Sequence, residues 1–170
     1  GKGANQAYAM GKLGANVNMI GAVGEDDYGI KLLKNLEEVK IGTTGIKKLK
    51  GENTGCAFIN VDETGENSIV VIGGANQKIT EEIIDNNIEL IDKATIVVLQ
   101  LEIPINIVTY VAKIAKEKGK YVILDPAPAR NDLPDELLKN VDIIKPNETE
   151  IQILTGNTVN TEEELYIAAK

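Results

Sequence analysis

The sequence contains no histidine and only one cysteine, Cys56. Without histidine, the chain cannot build a Ser-His-Asp or Cys-His catalytic unit or a His-ligated zinc site. A single cysteine excludes an intrachain disulfide. No signal-peptide pattern is visible, so we expect a reducing, cytoplasmic environment. Any general base on this chain is therefore a carboxylate, a lysine or a tyrosine.

Aromatic residues are also scarce, at 4% of the 170 residues, with no tryptophan and one phenylalanine. The core must therefore be aliphatic, which suits the covered strands of parallel sheets. No apolar run approaches the roughly 20 residues of a membrane span. The net charge is −8 and no basic cluster stands out, which argues against nucleic acid as a partner. If the ligand is a phosphate, this acidity favours an accompanying divalent cation.

What is present is an alternation of helical and strand patterns. The segment Ala94–Glu102 is almost wholly apolar, as expected for a buried parallel strand. We predict an α/β fold with a doubly wound, mostly parallel sheet flanked by helices. The predicted strands of this sheet are 16–24, 94–102, 120–129 and 141–147. The predicted helices are 4–13, 25–39, 80–91, 104–119, 134–140 and 147–156, with a last helix from residue 160.

Residues 41–74 show a different sequence pattern. Three short strand-like runs, "TTGIKKLK", "TGCAFINVD" and "NSIVVIGG", are separated by turn residues and are candidates for antiparallel pairing. We therefore predict one discontinuous α/β core made of residues 1–40 and 75–170. Residues 41–74 form a separate small antiparallel sheet.

Polar residues follow several predicted strands, where open α/β sheets bind their ligands. The opening "GKGAN" is either a tight turn with a solvated Lys2 or a polyol grip made of backbone N–H groups, the Lys2 ammonium and the Asn5 amide. Glu102 is either an exposed strand end or an acceptor for sugar hydroxyls. Asp125 opens "DPAPAR", which by itself indicates only a stiff loop.

The segment "NETE", Asn147–Glu150, also has two interpretations. An N-cap asparagine followed three residues later by glutamate is typical of a capping box. Alternatively, the Glu150 carboxylate on the first helical turn organises Mg²⁺ and its waters beside an anion. The residues alone do not decide between them.

Several stretches, in order along the chain, resemble the ribokinase-like (PfkB) family of carbohydrate kinases. They are "GKGANQA", "GANVNMIGAVGEDDYG", "KGENTGCAFINVDETGEN", "GGAN", "LQLEIP", "DPAPAR", "LPDELL" and "VDIIKPNETE". The resemblance implies a doubly wound α/β domain with a β-sheet lid, residues 41–74 here. It also implies transfer of the γ-phosphate of ATP to the 5-hydroxyl of D-ribose, with Mg²⁺ and an activating K⁺.

The family pattern, carried over to matching positions, implies two groups of binding residues. The sugar-binding residues would be Gly1, Lys2, Asn5, Ala57, Ile59 and Glu102. Asn147 and Glu150 would lie at the ATP phosphates, with Glu150 also at Mg²⁺. Lid strands in this family often form a dimer contact, so a homodimer is expected.

The family's second signature, a Gly-Ala-Gly-Asp turn that supplies the catalytic base, is absent from the sequence. So are the family's N-terminal sugar-binding Asp, the adenine pocket and the K⁺ site. We therefore expect a fragment with no catalytic residue of its own and no turnover. The alternatives are a family kinase acting on fructose, a deoxy-gluconate or a nucleoside, a catalytically inactive sugar-binding fragment, or a sugar-responsive regulator.

Overall fold

The structure, a computed structural model, describes residues 1–169 in two compact units, of which the first is Gly1–Asn87 and the second begins at Ile88. The first unit contains α1 (Lys2–Lys12), β1 (Asn18–Gly24), α2 (Asp27–Glu38), β2 (Gly42–Leu49), β3 (Cys56–Val61), β4 (Asn67–Ile72), a 3₁₀ helix (Gly74–Lys78) and α3 (Glu81–Asp85). The second contains α4 (Ile88–Lys93), β5 (Ile96–Leu99), α5 (Ile105–Glu117), β6 (Tyr121–Leu124), α6 (Asp135–Lys139), β7 (Ile143–Ile144), α7 (Glu148–Thr155) and α8 (Glu162–Ala168).

The core of the first unit lies between its two long helices and a parallel strand pair. Strands β1 and β2 pair in parallel. Ala7 of α1, Leu36 of α2, Val39 and Ile41 form one buried cluster, in which Leu36 is only 2% exposed. Because α1 packs on this cluster, its first turn, which carries the "GKGAN" motif, is held in place by aliphatic burial.

Strand β2 corrects one prediction. We expected the run that begins at residue 43 to belong to the antiparallel sheet, but β2 pairs in parallel with β1. The physical reason is burial beside β1: Gly45 is buried, and Ile46, on the opposite face of the strand, packs against the core cluster. The exposed Lys47 and Lys48 made the sequence pattern resemble that of a strand with one solvent-exposed face.

Among residues 1–169, the antiparallel pairing is that of β3 and β4, which form a hairpin with Ala57 opposite Val71 and Ile59 opposite Ile69. At its tip, Asp62 Oδ1 accepts hydrogen bonds from the Thr64 backbone N–H (2.9 Å) and hydroxyl (2.6 Å). Every residue from 57 to 72 is exposed, so neither face of the hairpin is covered within the described chain.

In the second unit, three strands pair in parallel in the order β5-β6-β7. The central strand β6 is the most deeply buried, with Val122 and Leu124 fully enclosed. Helix α5 buries one face, formed by Ile107, Val108, Val111, Ala112 and Ala115. The parallel pairing agrees with the apolar strand pattern, but the expected cover on both faces is incomplete, since Ile96 of β5 and both residues of β7 are exposed.

The predicted class is confirmed, since parallel strands are flanked by helices and one antiparallel pair is present. The helix predicted at 80–91 is instead divided into α3 and α4. The Asn87 side-chain amide donates to the Ile83 carbonyl (2.8 Å) at the break. The division into a discontinuous core and a lid at 41–74 remains a prediction. Within residues 1–169, no helix combines the length and apolar character that crossing a bilayer requires.

Candidate functional site

In the first unit, "GKGAN" forms the first turn of a helix. Gly1 is the N-cap of α1, and the Asn5 N–H donates to the Gly1 carbonyl at 3.1 Å. Lys2 and Asn5 are exposed on this turn. A helix start offers backbone N–H donors and the positive end of the helix dipole, so the turn is suited to electron-rich oxygen atoms.

Gly1 and Asn5 border a cavity of about 300 Å³. The start of the hairpin forms another part of its wall through Thr54, Gly55 and Cys56. The remaining wall includes the polar side chains of Tyr8, Tyr28, Lys31 and Asn35. The structure thus brings the first turn of α1 next to the base of the hairpin, although Lys2 does not line this cavity.

Ala57 and Ile59 lie together on one face of β3, since side chains alternate along a strand. Ile59 is 60% exposed. Cys56 points to the opposite face and borders the cavity, whereas Ala57 and Ile59 do not. The predicted sugar-binding residues of the first unit therefore fall into two sets, one at the helix start and one on a hairpin face.

In the second unit, polar groups follow the carboxyl ends of all three strands of the parallel sheet. Glu102 is half-buried in the turn after β5, and Asp125, directly after β6, is only 9% exposed. The backbone ladder continues past the strand ends: the Asp125 N–H donates to Leu99 O (2.9 Å) and the Lys145 N–H to Leu124 O (2.9 Å). Glu102, Asp125 and Lys145 therefore emerge at one edge of the sheet.

Two basic side chains near this edge form ion pairs with carboxylates. The Lys145 ammonium lies 3.6 Å from Asp125. Arg130, which closes "DPAPAR", donates two hydrogen bonds to Asp132 (2.5 and 2.7 Å), and this pairing lowers the pKa of the Asp132 carboxyl. Sequence reasoning did not single out Lys145. Its place directly after a short apolar strand and two residues before Asn147 was the available signal.

The "NETE" segment forms a capping box at the start of α7. The Glu150 N–H donates to Asn147 Oδ1 (2.8 Å), and Glu150 Oε2 accepts the Asn147 N–H (2.9 Å). The capping interpretation is therefore correct. The ligand interpretation stays open, because a carboxylate accepts several hydrogen bonds. Asn147 and Glu150 follow β7, whose carboxyl end lies at the same edge of the sheet as those of β5 and β6, which Glu102 and Asp125 follow.

A sequence profile described as "pfkB family carbohydrate kinase" matches residues 1–170. The chain belongs to the pfkB family of carbohydrate kinases. The family resemblance predicted from its motifs is confirmed.

Individual pfkB relatives match along almost the whole chain. Ribokinase of Haemophilus influenzae is 44% identical over 169 residues, covering 99% of this chain and 55% of that protein. Deoxyribokinase of Salmonella typhimurium is 39% identical over 170 residues, covering 100% and 56%. The structure of Arabidopsis thaliana ribokinase complexed with ribose and ATP aligns with a TM-score of 0.90 at 37% identity, covering 99% of this chain and 55% of that chain. The chain spans about half the length of the curated relatives it matches.

The family resemblance implies a divalent cation beside the nucleotide, and the acidic residues are its candidate ligands. Among residues 1–169, no three Asp, Glu or Cys side chains come together as a ligand group. Mg²⁺ usually keeps several waters and takes one or two carboxylates besides substrate phosphates. A single carboxylate at a helix start, Glu150, fits a cation held mainly by phosphate and water. No described residue is assigned to K⁺.

A second cavity, of about 710 Å³, lies in the second unit between α7, α8 and the loop that follows "DPAPA". Its wall is mainly apolar and includes Leu133, Ile151 and Leu165. Glu102, Asn147 and Glu150 do not border it, so we do not assign the pfkB site to this cavity despite its size.

Proposed function

We propose that the full-length protein is an ATP-dependent sugar kinase that converts D-ribose and ATP to ribose 5-phosphate and ADP. The observation that carries this proposal is the 44% identity to a ribokinase over 99% of the chain. The polar residues at the strand ends of the second unit support it, because this edge is where open α/β sheets bind ligands. A cytoplasmic location remains a prediction.

The sugar is held by hydroxyl-directed groups. The Lys2 ammonium and the Asn5 amide supply donors at the start of α1, and Gly1 leaves the backbone there accessible. Glu102 accepts from sugar hydroxyls, and a hydroxyl that donates to a carboxylate makes a strong, charge-assisted hydrogen bond. Ala57 and Ile59 cover the apolar side of the sugar ring and limit access of water to the phosphoryl group.

The nucleotide phosphates lie at the start of α7 in this proposal. The Asn147 amide donates to phosphate oxygens, and the helix N-terminus favours their negative charge. Glu150 would hold Mg²⁺ through its water shell, and the bound cation would offset phosphate charge. Transfer is in line and depends mostly on positioning and charge neutralisation. The base is an Asp expected beyond residue 170, as is the K⁺ site.

The hairpin also supports a homodimer. One face carries Ala57, Ile59 and Val71, and the other carries Phe58 and Val70, all of them exposed. Two exposed apolar faces on a two-stranded sheet need cover, since such a hairpin is marginally stable alone. We propose that the sugar covers the first face and a second copy of the chain covers the second face. Sedimentation of the full-length protein should show a dimer.

A coupled ADP-release assay on the full-length protein tests the activity. With D-ribose, 2-deoxy-D-ribose, fructose, a 2-keto-3-deoxygluconate and adenosine as acceptors, we expect the highest kcat/KM for D-ribose. The 39% identity to a deoxyribokinase makes 2-deoxy-D-ribose the second candidate. A higher kcat/KM for any other acceptor would contradict the D-ribose proposal, and absence of sugar-dependent ADP release would contradict kinase activity. Residues 1–170 alone should give no turnover.

A further inference from the structure

One carboxylate joins three segments of the first unit at the base of the hairpin. Asp26 caps α2, accepting the Gly29 N–H at 2.8 Å. The same carboxylate accepts the Thr54 backbone N–H (2.7 Å) and the Thr54 hydroxyl (2.6 Å). The hydroxyl oxygen in turn accepts the Gly24 N–H (3.0 Å). These bonds connect the end of β1, the start of α2 and the residue two positions before β3.

The backbone segments around these hydrogen bonds are closely packed. A Cβ on Gly24 would collide with the Glu52 carbonyl oxygen and lie 2.7 Å from the Thr54 nitrogen. Thr54 itself is only 5% exposed. The chain leaving the hairpin returns to the same place, because the Ala75 N–H donates to the Asn53 carbonyl at 2.8 Å. Both ends of the hairpin are therefore fixed at its base.

Within a single chain, little beyond this base holds the direction of the hairpin, because all residues from 57 to 72 are exposed. Apart from the proposed contact with a second copy, the orientation of β3 is therefore set mainly by the base, and Ala57 lies only three residues beyond Thr54. The hydrogen bonds from the Thr54 hydroxyl, and then from the Thr54 and Gly29 N–H groups, lower the pKa of Asp26. The carboxylate is therefore charged at neutral pH, and bonds to a charged acceptor are the stronger kind.

We propose that Asp26 and Thr54 are positioning residues for sugar binding, because they fix the base of the hairpin so that Ala57 and Ile59 meet the sugar. This inference rests on the proposed function, in which these two β3 residues cover the sugar. Thr54 borders the cavity beside Gly1 and Asn5 but is only 5% exposed, and its hydroxyl donates to Asp26. Neither Asp26 nor Thr54 is assigned a contact with the sugar or with ATP.

The kinetic test compares two substitutions at one position in the full-length protein. Thr54→Val keeps the shape and the backbone N–H but removes the hydroxyl, whereas Thr54→Ser keeps the hydroxyl. Thr64→Val is the matched control, because it removes the similar 2.6 Å bond to Asp62 at the hairpin tip. Asp26 is unchanged in all three variants and still caps α2. The test therefore avoids a substitution of Asp26, which could itself prevent folding.

We expect Thr54→Val to raise KM for ribose at least fivefold while KM for ATP changes less than twofold. Thr54→Ser and Thr64→Val should both stay within twofold of the wild type for either substrate. A merely structural role would lower stability without separating the two KM values. An unchanged ribose KM, or equal changes in both KM values, would overturn the proposal.

Hydrogen exchange gives a readout that does not depend on activity. In Thr54→Val, the amides of β3 and β4 should exchange at least tenfold faster, while those of α5 keep their wild-type rates. If the wild type does not phosphorylate ribose, the proposed function fails but this measurement still tests the hairpin base. Unchanged exchange in β3 and β4 would overturn the positioning role whatever the kinetics show.

Discussion

Glu150→Gln separates the two roles that the structure allows at the start of α7. The Glu150 carboxylate accepts the Asn147 N–H at 2.9 Å, and a glutamine keeps an acceptor oxygen for the same bond. The substitution therefore preserves the capping box and removes only the charge. If Glu150 also serves Mg²⁺, the metal requirement should change while the fold remains intact.

The two magnitudes differ enough to be separated. Removing a charge from a helix N-terminus costs about 0.3–1 kcal/mol, which lowers the melting temperature by a few degrees at most. Losing a charged partner for a metal-bound water costs about 1.5–3 kcal/mol. Because about 1.4 kcal/mol corresponds to tenfold in an equilibrium constant, half-saturation by Mg²⁺ should rise about tenfold or more.

The assay is a Mg²⁺ titration of ADP release by the full-length protein at saturating ribose and ATP, with thermal unfolding measured in parallel. Glu148→Gln is the matched control, since Glu148 is an exposed acidic residue in the same first turn and takes no part in the capping box. We expect its titration to match the wild type. An unchanged titration for Glu150→Gln would remove Glu150 from the metal site and leave it a capping residue alone.

Three further substitutions test other parts of the fold and site. Glu102→Ala should weaken ribose binding more than ATP binding in calorimetry, and equal losses would refute a sugar contact. Gly24→Ala should cost roughly 1–3 kcal/mol in urea unfolding, because its Cβ meets backbone atoms; an unchanged midpoint would contradict that packing. Lys116 (2.6 Å) and the Val122 N–H (2.7 Å) lower the pKa of Asp142. These contacts stabilise the fold at pH values above the ordinary aspartate pKa of about 3.9, and the stabilisation is lost as the pH falls through the lowered pKa. Asp142→Asn should therefore melt below the wild type at pH 7 and approach it towards pH 2, whereas a constant difference would contradict this role.

The parts of the fold that sequence reasoning predicted are those with local signals. The apolar run Ala94–Glu102 identified a parallel strand, although β5 is shorter and only its last residue, Leu99, is buried. Pro104 near its start and Gly119 past its end marked α5 as a helix and located both of its ends. The Asn147–Glu150 spacing predicted the capping box, because both partners lie within one helical turn.

The parts that sequence reasoning did not find depend on contacts between distant residues. Asp26 and Thr54 are 28 positions apart, and the acidic stretch around Asp26 indicated only a helix start. The prediction that β2 pairs within the antiparallel sheet was wrong, because the alternation of side chains along a strand does not identify the neighbouring strand. The Asp125–Lys145 pair likewise requires β6 and β7 to be neighbours, which topology alone establishes.

The hairpin shows why the sugar site needs more than the residues that would touch the sugar. Ile59 and Phe58 lie on opposite faces and are about equally exposed, at 60% and 58%. Exposure therefore does not distinguish a sugar-facing side from a dimer-facing side. Within one chain, the direction in which each face points is set at the base, where the Thr54 N–H and hydroxyl donate to Asp26. If the base were mobile, ordering Ala57 and Ile59 on sugar binding would cost conformational entropy. A fixed base removes that cost before binding, so loss of the Thr54 hydroxyl should appear in ribose affinity before it appears anywhere else in the kinetics.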